Sequence, residues 1–297
     1  MGYGSWSSSS YDNYTKTTYG VSAMNFADAD YTAQEMYKSR SLAKVLDPKN
    51  IMRECCDSEE HPESFPVILA LDVTGSMGGA SVKVAQRLNE IMTDLYADPD
   101  VKDVQFCIMG IGDLAYDWAP IQMSQFESDI RIAEQLDKIY FEAGGGGNNF
   151  ESYSAAWYMG VNHCKLDCWN RGKKGVIITM GDELPNPYLF GEGLARSTGD
   201  KLQGDIETKE LLAEALTKFD IYHIAVDDRE SSYRWYVDRG IDDKWKALLG
   251  DDHYNVSNLD NLSATITGII KNCAKNGSVM TTSNTSIQQD ENNEVIW

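Results

Sequence analysis

Three oxygen-bearing side chains follow an apolar stretch near residue 70, at alternate positions of the chain. The stretch 65–71 is typical of a buried strand, and Asp72, Thr74 and Ser76 come next within a glycine-containing turn. Because alternate residues of an extended chain point to the same side, these oxygens can face one point. Oxygen ligands without histidine or cysteine suit Mg²⁺ or a similar hard cation. A strand-to-helix turn capped by its own hydroxyl groups is the simpler alternative.

Acidic residues also follow the other strand-like stretches of the chain. They are, in chain order, Asp113, Asp182, Glu183, Asp227 and Asp228. The carboxyl ends of parallel strands meet at one edge of a sheet, and ligands of such sheets bind there. Carboxylates gathered at one edge repel each other unless they are spread apart or neutralised by a cation. The sequence therefore predicts a cation-attracting edge.

Apolar stretches of strand length alternate with longer amphipathic stretches along most of the chain. The strand candidates are 66–72, 103–111, 175–180 and 220–226, with shorter ones at 120–126 and 254–256. The helix candidates are 80–96, 129–140, 151–166, 207–219 and 259–274. Near-continuous apolar strands separated by helices are typical of a parallel sheet that is covered on both faces. We therefore predict an α/β fold of the doubly wound type, with a mostly parallel central sheet and helices on both faces.

Composition divides the chain into three parts. Residues 1–64 form an N-terminal arm that we expect to be partly irregular, 65–275 form the α/β domain, and 276–297 form a polar C-terminal tail. Several aromatic residues within 1–20 argue against a plain linker. The arm therefore either folds back on the domain or contacts a partner.

The charge and the cysteines of the chain limit its partners and its compartment. The 297 residues include 46 acidic and 26 basic side chains, a formal net charge of −20. A field of this sign repels nucleic acid phosphates and anionic membranes, so neither is an expected partner. Two of the six cysteines are adjacent, which suits a disulfide framework poorly in a chain of this size. We expect an intracellular protein, located in the cytoplasm or, if phage-encoded, in a virion.

The motif Asp72-x-Thr74-x-Ser76, entering a helix after a buried strand, resembles the metal-ion-dependent adhesion site of von Willebrand factor A (vWA) domains. That site usually has Asp-x-Ser-x-Ser, and Thr74 keeps the hydroxyl group. Asp182 matches the acid that this family carries at the end of its fourth strand. The resemblance covers roughly residues 65–275. The glycine run followed by Glu-Ser-Tyr, and the later Gly-Asp-Glu, are similar to sequences of bacterial and phage vWA proteins.

The family also uses a threonine from a loop that precedes a helix between these two motifs. In this sequence that loop is 144–152, and it contains no threonine. Asn149 is the residue that we place at this position. Its amide oxygen can coordinate a hard cation.

The resemblance implies a site for Mg²⁺, with Mn²⁺ or Ca²⁺ as alternatives. Thr74 and Ser76 would contact the ion directly, while Asp72 and Asp182 would hold its water molecules or orient the hydroxyl groups. Neutral hydroxyl ligands leave the ion electrophilic, with an open coordination position. The implied function is a non-enzymatic protein-binding module, in which an Asp or Glu carboxylate of a partner protein completes the coordination of the ion.

Two other functions stay open from the sequence. In a structural or assembly protein, for example one of a phage, the terminal arms would make the contacts and the domain would be a scaffold. A metal-dependent hydrolase or phosphotransferase of the aspartate type is the weaker alternative. Such enzymes need a second acid two residues after the nucleophilic aspartate, where this chain has Thr74.

Overall fold

The computed structural model describes residues 4–142, 150–226, 240–277 and 279–280. The strands are β1 (Arg53–Cys55), β2 (Phe65–Asp72), β3 (Val104–Ile111), β4 (Ile121–Met123), β5 (Phe150–Glu151), β6 (Cys164–Leu166), β7 (Gly175–Gly181), β8 (Leu184–Pro185), β9 (Tyr188–Leu189), β10 (Ile206–Glu207), β11 (Phe219–Val226) and β12 (Tyr254–Ser257). The helices are α1 (Ser8–Tyr19), α2 (Ala23–Ala27), α3 (Ala33–Met36), α4 (Gly78–Ala97), α5 (Arg131–Leu136), α6 (Ser154–Asn162), α7 (Gly191–Thr198), α8 (Thr208–Ala215), α9 (Ile241–Leu249) and α10 (Leu262–Asn276).

The centre of the fold is a six-stranded sheet with the order β12-β11-β7-β2-β3-β4. All neighbouring strands are parallel except β4, which pairs antiparallel with β3. The chain runs from β2 to β3 and β4 on one side, and then places β7, β11 and β12 on the other. The strand order therefore reverses between β2 and β7, and ligands bind at the carboxyl ends of strands that flank such a reversal.

The predicted fold class is confirmed. The four long strands are all present. In each of them one boundary agrees with the predicted stretch and the other differs by one residue. The two shorter candidates correspond to β4 and β12. Near-continuous apolar stretches identify strands of a parallel sheet well because both faces of such strands are buried.

Helices cover both faces of the sheet, and alternate residues of β2 point to the two apolar cores. Leu69 and Leu71 belong to the core that contains α4 and α10. Ile68 and Ala70 belong to the opposite core, which contains α6, α8 and α9. This alternation follows from the two-residue period of a strand. It fixes the register of β2 and therefore the position of the loop that follows it.

The stretch 151–166, predicted as one helix, contains three elements. Its start lies in β5, which pairs in parallel with β8. Its middle is α6, and its end is β6, which pairs in parallel with β1. Both pairings join segments that are distant in sequence, so local apolar periodicity does not reveal them.

The N-terminal segment packs on the α/β domain through its aromatic side chains. Tyr11 of α1 is 1% exposed, and its hydroxyl donates to the Ala85 carbonyl of α4 at 2.8 Å. The hydroxyls of Tyr14 and Tyr19 both donate to the Asp137 carboxylate. The arm therefore folds back on the domain, which is one of the two alternatives predicted from the sequence.

Among the described residues, no helix is both long enough and apolar enough to cross a bilayer.

Candidate metal centre

The loop after β2 is built around the carboxylate of Asp72. This side chain is 0% exposed at the end of the strand. Its Oδ1 accepts hydrogen bonds from the Thr74 backbone N–H at 2.8 Å and from the Thr74 hydroxyl at 2.6 Å. A 3₁₀ turn, Gly75–Met77, then leads into α4. Both hydrogen bonds come from the residue two positions after Asp72, so they close the loop locally before the 3₁₀ turn begins.

The hydrogen bond between Thr74 and Asp72 orients the threonine hydroxyl group. The hydroxyl hydrogen points to Asp72 Oδ1, so the lone pairs of Thr74 Oγ1 point away from the carboxylate. A hydroxyl with its hydrogen engaged in this way presents only acceptor character to its remaining neighbours. That is the orientation in which a neutral hydroxyl coordinates a cation.

Tyr153 contacts the other oxygen of the same carboxylate. Its hydroxyl donates to Asp72 Oδ2 at 2.7 Å and accepts from the Glu183 backbone N–H at 3.3 Å. The ring lies directly on Gly181, where an added Cβ would come within 1.9 Å of the Tyr153 hydroxyl oxygen. Tyr153 therefore connects the end of β2 to the end of β7. This tyrosine belongs to the Glu-Ser-Tyr motif, and its spacing in the sequence does not predict a role at the site.

Asp182 follows β7 directly, at the neighbouring strand end. Leu71 and Met180 are partners across β2 and β7, so Asp182 lies one residue beyond the level of Asp72 at the neighbouring strand end. Burial, and next the charge of Asp182, raise the pKa of Asp72 to about 7. These two carboxyl groups lie close enough to influence each other, one on each strand that flanks the crevice where the strand order reverses.

The remaining predicted ligands lie as follows. Ser76 is exposed in the 3₁₀ turn, two residues after Thr74. Asn149 lies outside the described residues, as do Asp227 and Asp228. The structure thus brings Asp72, Thr74, Ser76 and Asp182 to one edge of the sheet.

Further acidic side chains surround this group. Glu151 is 5% exposed, and its Oε2 has no hydrogen-bond partner among the described residues. Burial, followed by the charges of Asp72, Asp117 and Asp113, raises the pKa of Glu151 to about 10. Burial also raises the pKa of Asp117 to about 6. Negative charge is therefore costly at this edge, and a bound cation would offset that cost.

The donor set fits a hard cation held largely by hydroxyl groups. Within 4–142, 150–226, 240–277 and 279–280, no group of three or more His, Cys, Asp or Glu side chains could hold a metal ion. A site made only of carboxylates is therefore not formed by these residues. The candidate ligands that the structure describes are the carboxylates of Asp72 and Asp182 and the hydroxyl groups of Thr74 and Ser76. No basic side chain in the described ranges forms an ion pair with Asp72.

A layer of aromatic rings supports Tyr153 from behind. Its ring packs edge-on against His223, with centroids 5.1 Å apart, and His223 stacks on Trp245 at 3.7 Å. The Trp245 indole N–H donates to the Glu183 carbonyl at 3.0 Å. Burial holds the pKa of His223 well below its usual range, so this ring is neutral at physiological pH. These contacts leave Tyr153 little freedom to turn away from Asp72.

No protein-family model matches the chain, and none of the curated proteins matches it.

Solved structures resemble the chain at low identity. The open conformation of the pilus adhesin SpaC from Lactobacillus rhamnosus GG has 12% identity and a TM-score of 0.46, over 77% of this chain and 31% of the adhesin. The vWF domain of the type V pili tip protein Mfa5 from Porphyromonas gingivalis has 12% identity and a TM-score of 0.42, over 75% of this chain and 98% of that domain. Proximal thread matrix protein 1 from the mussel byssus has 13% identity and a TM-score of 0.40, over 76% of this chain and 47% of that protein. The chain thus spans less than a third of the length of the adhesin.

Proposed function

We propose that this chain is a protein-binding module of the vWA type whose binding depends on a divalent cation, Mg²⁺ or else Mn²⁺ or Ca²⁺. The ligand set is Asp72, Thr74, Ser76, Asn149 and Asp182. The observation that carries the proposal is the hydrogen bond from the Thr74 hydroxyl to the buried Asp72, beside Asp182. It orients an oxygen ligand at the crevice between β2 and β7.

Each residue has a distinct part in this proposal. Thr74 and Ser76 supply hydroxyl oxygens, while Asp72 fixes the Thr74 hydroxyl by accepting its hydrogen. Tyr153 holds the Asp72 carboxylate by donating to its second oxygen. When bound, the cation supplies a Lewis-acidic position for a carboxylate oxygen of a partner protein. The hydroxyl ligands do not neutralise the ion, so a negatively charged partner group is favoured there.

We infer a binding protein rather than an enzyme from the type of residue at position 74. A phosphotransferase of the aspartate type uses a carboxyl group two residues after its nucleophile, and Thr74 has no titrating group in the physiological range. Moreover, Asp72 already accepts hydrogen bonds on both oxygens, which lowers its reactivity as a nucleophile.

We also propose that the partner is neither nucleic acid nor an anionic membrane, and that the protein acts inside the cell. The net charge of −20 supports the first statement. All six cysteines are free, which supports a reducing compartment such as the cytoplasm.

The proposal is tested by partner capture with the immobilised full chain, in Mg²⁺ and in a chelator. We expect partners that are retained in Mg²⁺, are released by the chelator and are lost with Asp72→Ala. Asp251→Ala is the matched control, because Asp251 is an exposed acid near the amino end of β12, at the opposite edge of the sheet. Capture that is equal with and without Mg²⁺, and equal for both variants, would overturn the proposal.

A further inference from the structure

Two aromatic side chains stand out into solvent next to the candidate metal centre. They belong to the segment between β3 and β4, in which the Trp118 side chain is 91% exposed and Tyr116 is 56% exposed. They line a groove of about 440 Å³ together with Pro48, Lys49 and Arg196. An indole that remains in water forgoes a large hydrophobic gain, which makes its exposure informative.

The backbone that carries these rings is firmly held. The Asp113 N–H donates to Asp117 Oδ2 at 2.7 Å, and the Asp117 N–H donates to the Asp113 carbonyl at 2.9 Å. The Leu114 N–H donates to the Ser152 hydroxyl at 3.0 Å. The Ala119 N–H donates to Glu142 Oε1 at 2.7 Å. Little conformational freedom is therefore lost from this segment when a partner binds it.

Hydrogen bonds also connect this segment to the metal-site loop. Glu142, which holds Ala119, donates its own backbone N–H to the carbonyl of Val73 at 3.1 Å. Val73 lies between Asp72 and Thr74. The groove and the candidate centre therefore lie side by side on the same edge of the sheet.

Two basic side chains of the groove can pair with an acidic occupant. Lys49 and Arg196 are exposed, and neither forms an ion pair with any part of the chain that the structure describes. One N–H of the Arg196 guanidinium donates to the Leu114 carbonyl at 3.2 Å, which holds the side chain at the groove. The two acids of the groove, Asp47 and Asp117, accept hydrogen bonds from the backbone N–H groups of Lys49 and Asp113 rather than from a basic side chain. Available positive charge is notable in a chain with a net charge of −20.

We infer that the groove beside Trp118 binds an extended segment of a partner protein in which an apolar or aromatic side chain lies close to acidic residues. The apolar side chain packs on Trp118 and Tyr116, and an acidic side chain pairs with Arg196 or Lys49. A further carboxylate of the same segment reaches the cation. This last contact rests on the proposed function, while the groove contacts do not. Aromatic and arginine side chains commonly dominate the free energy of protein interfaces.

The test is selection from a random-peptide library on the immobilised full chain in Mg²⁺, followed by affinity measurement with the selected synthetic peptides. We expect the selected peptides to combine acidic and apolar residues. We also expect Trp118→Ala to weaken their binding about tenfold and Arg196→Ala to weaken it several-fold. Met24→Ala is the control for loss of an exposed apolar side chain, since Met24 is 75% exposed on α2.

The outcomes separate this inference from the proposed function. One outcome is that selected peptides require Mg²⁺ and Asp72 for binding. If their affinity for Trp118→Ala is within about twofold of their affinity for wild type, the groove is not the binding site, and the proposed metal centre is still supported. Peptides that bind equally in chelator but are lost with Trp118→Ala would support the groove and contradict the cation dependence. Selection of no peptide, or of peptides without apolar residues, would overturn the inference.

Discussion

Asp72 combines complete burial with three hydrogen bonds that its two oxygens accept. Thr74 and Asp182 could be placed beside it from the sequence, because their spacing and their position after apolar strands are visible in the chain. Tyr153 could not, because it lies 81 residues from Asp72 and reaches it only through the position of α6 across β7. A tyrosine at the start of an apolar helix is typical of ordinary core packing.

The raised pKa of Asp72 predicts how stability depends on pH in the absence of divalent ions. The pKa rises from 3.8 to about 7 in the fold, so the folded state binds the proton more tightly than the unfolded state does. The free energy of unfolding therefore falls as pH rises from about 4 to about 7. Asp72→Asn should remove this component, on the order of a few kcal/mol. Denaturant unfolding of metal-free protein across that pH range measures it, and parallel pH profiles for the two proteins would contradict it.

The variant Tyr153→Phe tests whether the Tyr153 hydroxyl positions the Asp72 carboxylate or whether the ring only fills space in the core. The variant keeps the ring but loses the hydrogen bond to Asp72, so cation affinity should fall about tenfold or more. Stability should fall by about 1 kcal/mol. Tyr158→Phe is the matched control, because its hydroxyl donates to Asp200 at 2.6 Å, away from the centre. Calorimetric titration with Mg²⁺ compares the two, and equal affinity in both variants would refute the role of Tyr153.

The strands and helices show where sequence patterns succeed and where tertiary contacts decide. The four long strands were predictable because their apolar stretches are long and flanked by turn residues. The stretch 151–166 was not, because β5 and β6 owe their conformation to pairing with β8 and β1. The N-terminal arm was expected to be partly irregular, yet 8–19 form the regular helix α1, with aromatic side chains against α4.

The close contact between β7 and Tyr153 predicts the effect of a single methyl group. In Gly181→Ala the new Cβ would meet the Tyr153 hydroxyl oxygen at 1.9 Å, so the ring must move away from Asp72. Stability should fall by about 1–3 kcal/mol, and cation binding should weaken. Gly268→Ala in α10 is the control, since a Cβ at that position would meet no other heavy atom within 4 Å. It should stabilise the protein by about 0.5–1 kcal/mol. Unchanged unfolding of Gly181→Ala would contradict this packing.

At the scale of the whole molecule, the N-terminal segment and the α/β domain share one apolar core. Tyr11 and Phe26 belong to the same core as α4 and α10. Tyr11→Ala should therefore lower the free energy of unfolding by about 3–5 kcal/mol while the transition stays single. Tyr116→Ala removes an exposed tyrosine and should change stability little. Two separate unfolding transitions would show that the segment folds independently of the domain.

Cation binding at Asp72 is tested by a calorimetric titration of Mg²⁺ into the chelator-treated chain 1–297, with Asp72→Ala and Asp251→Ala in parallel. We expect one saturable ion per chain for wild type and for Asp251→Ala, and no saturable binding for Asp72→Ala. Equal heats and stoichiometry in all three proteins would contradict it, because the ion would then bind elsewhere on an acidic surface.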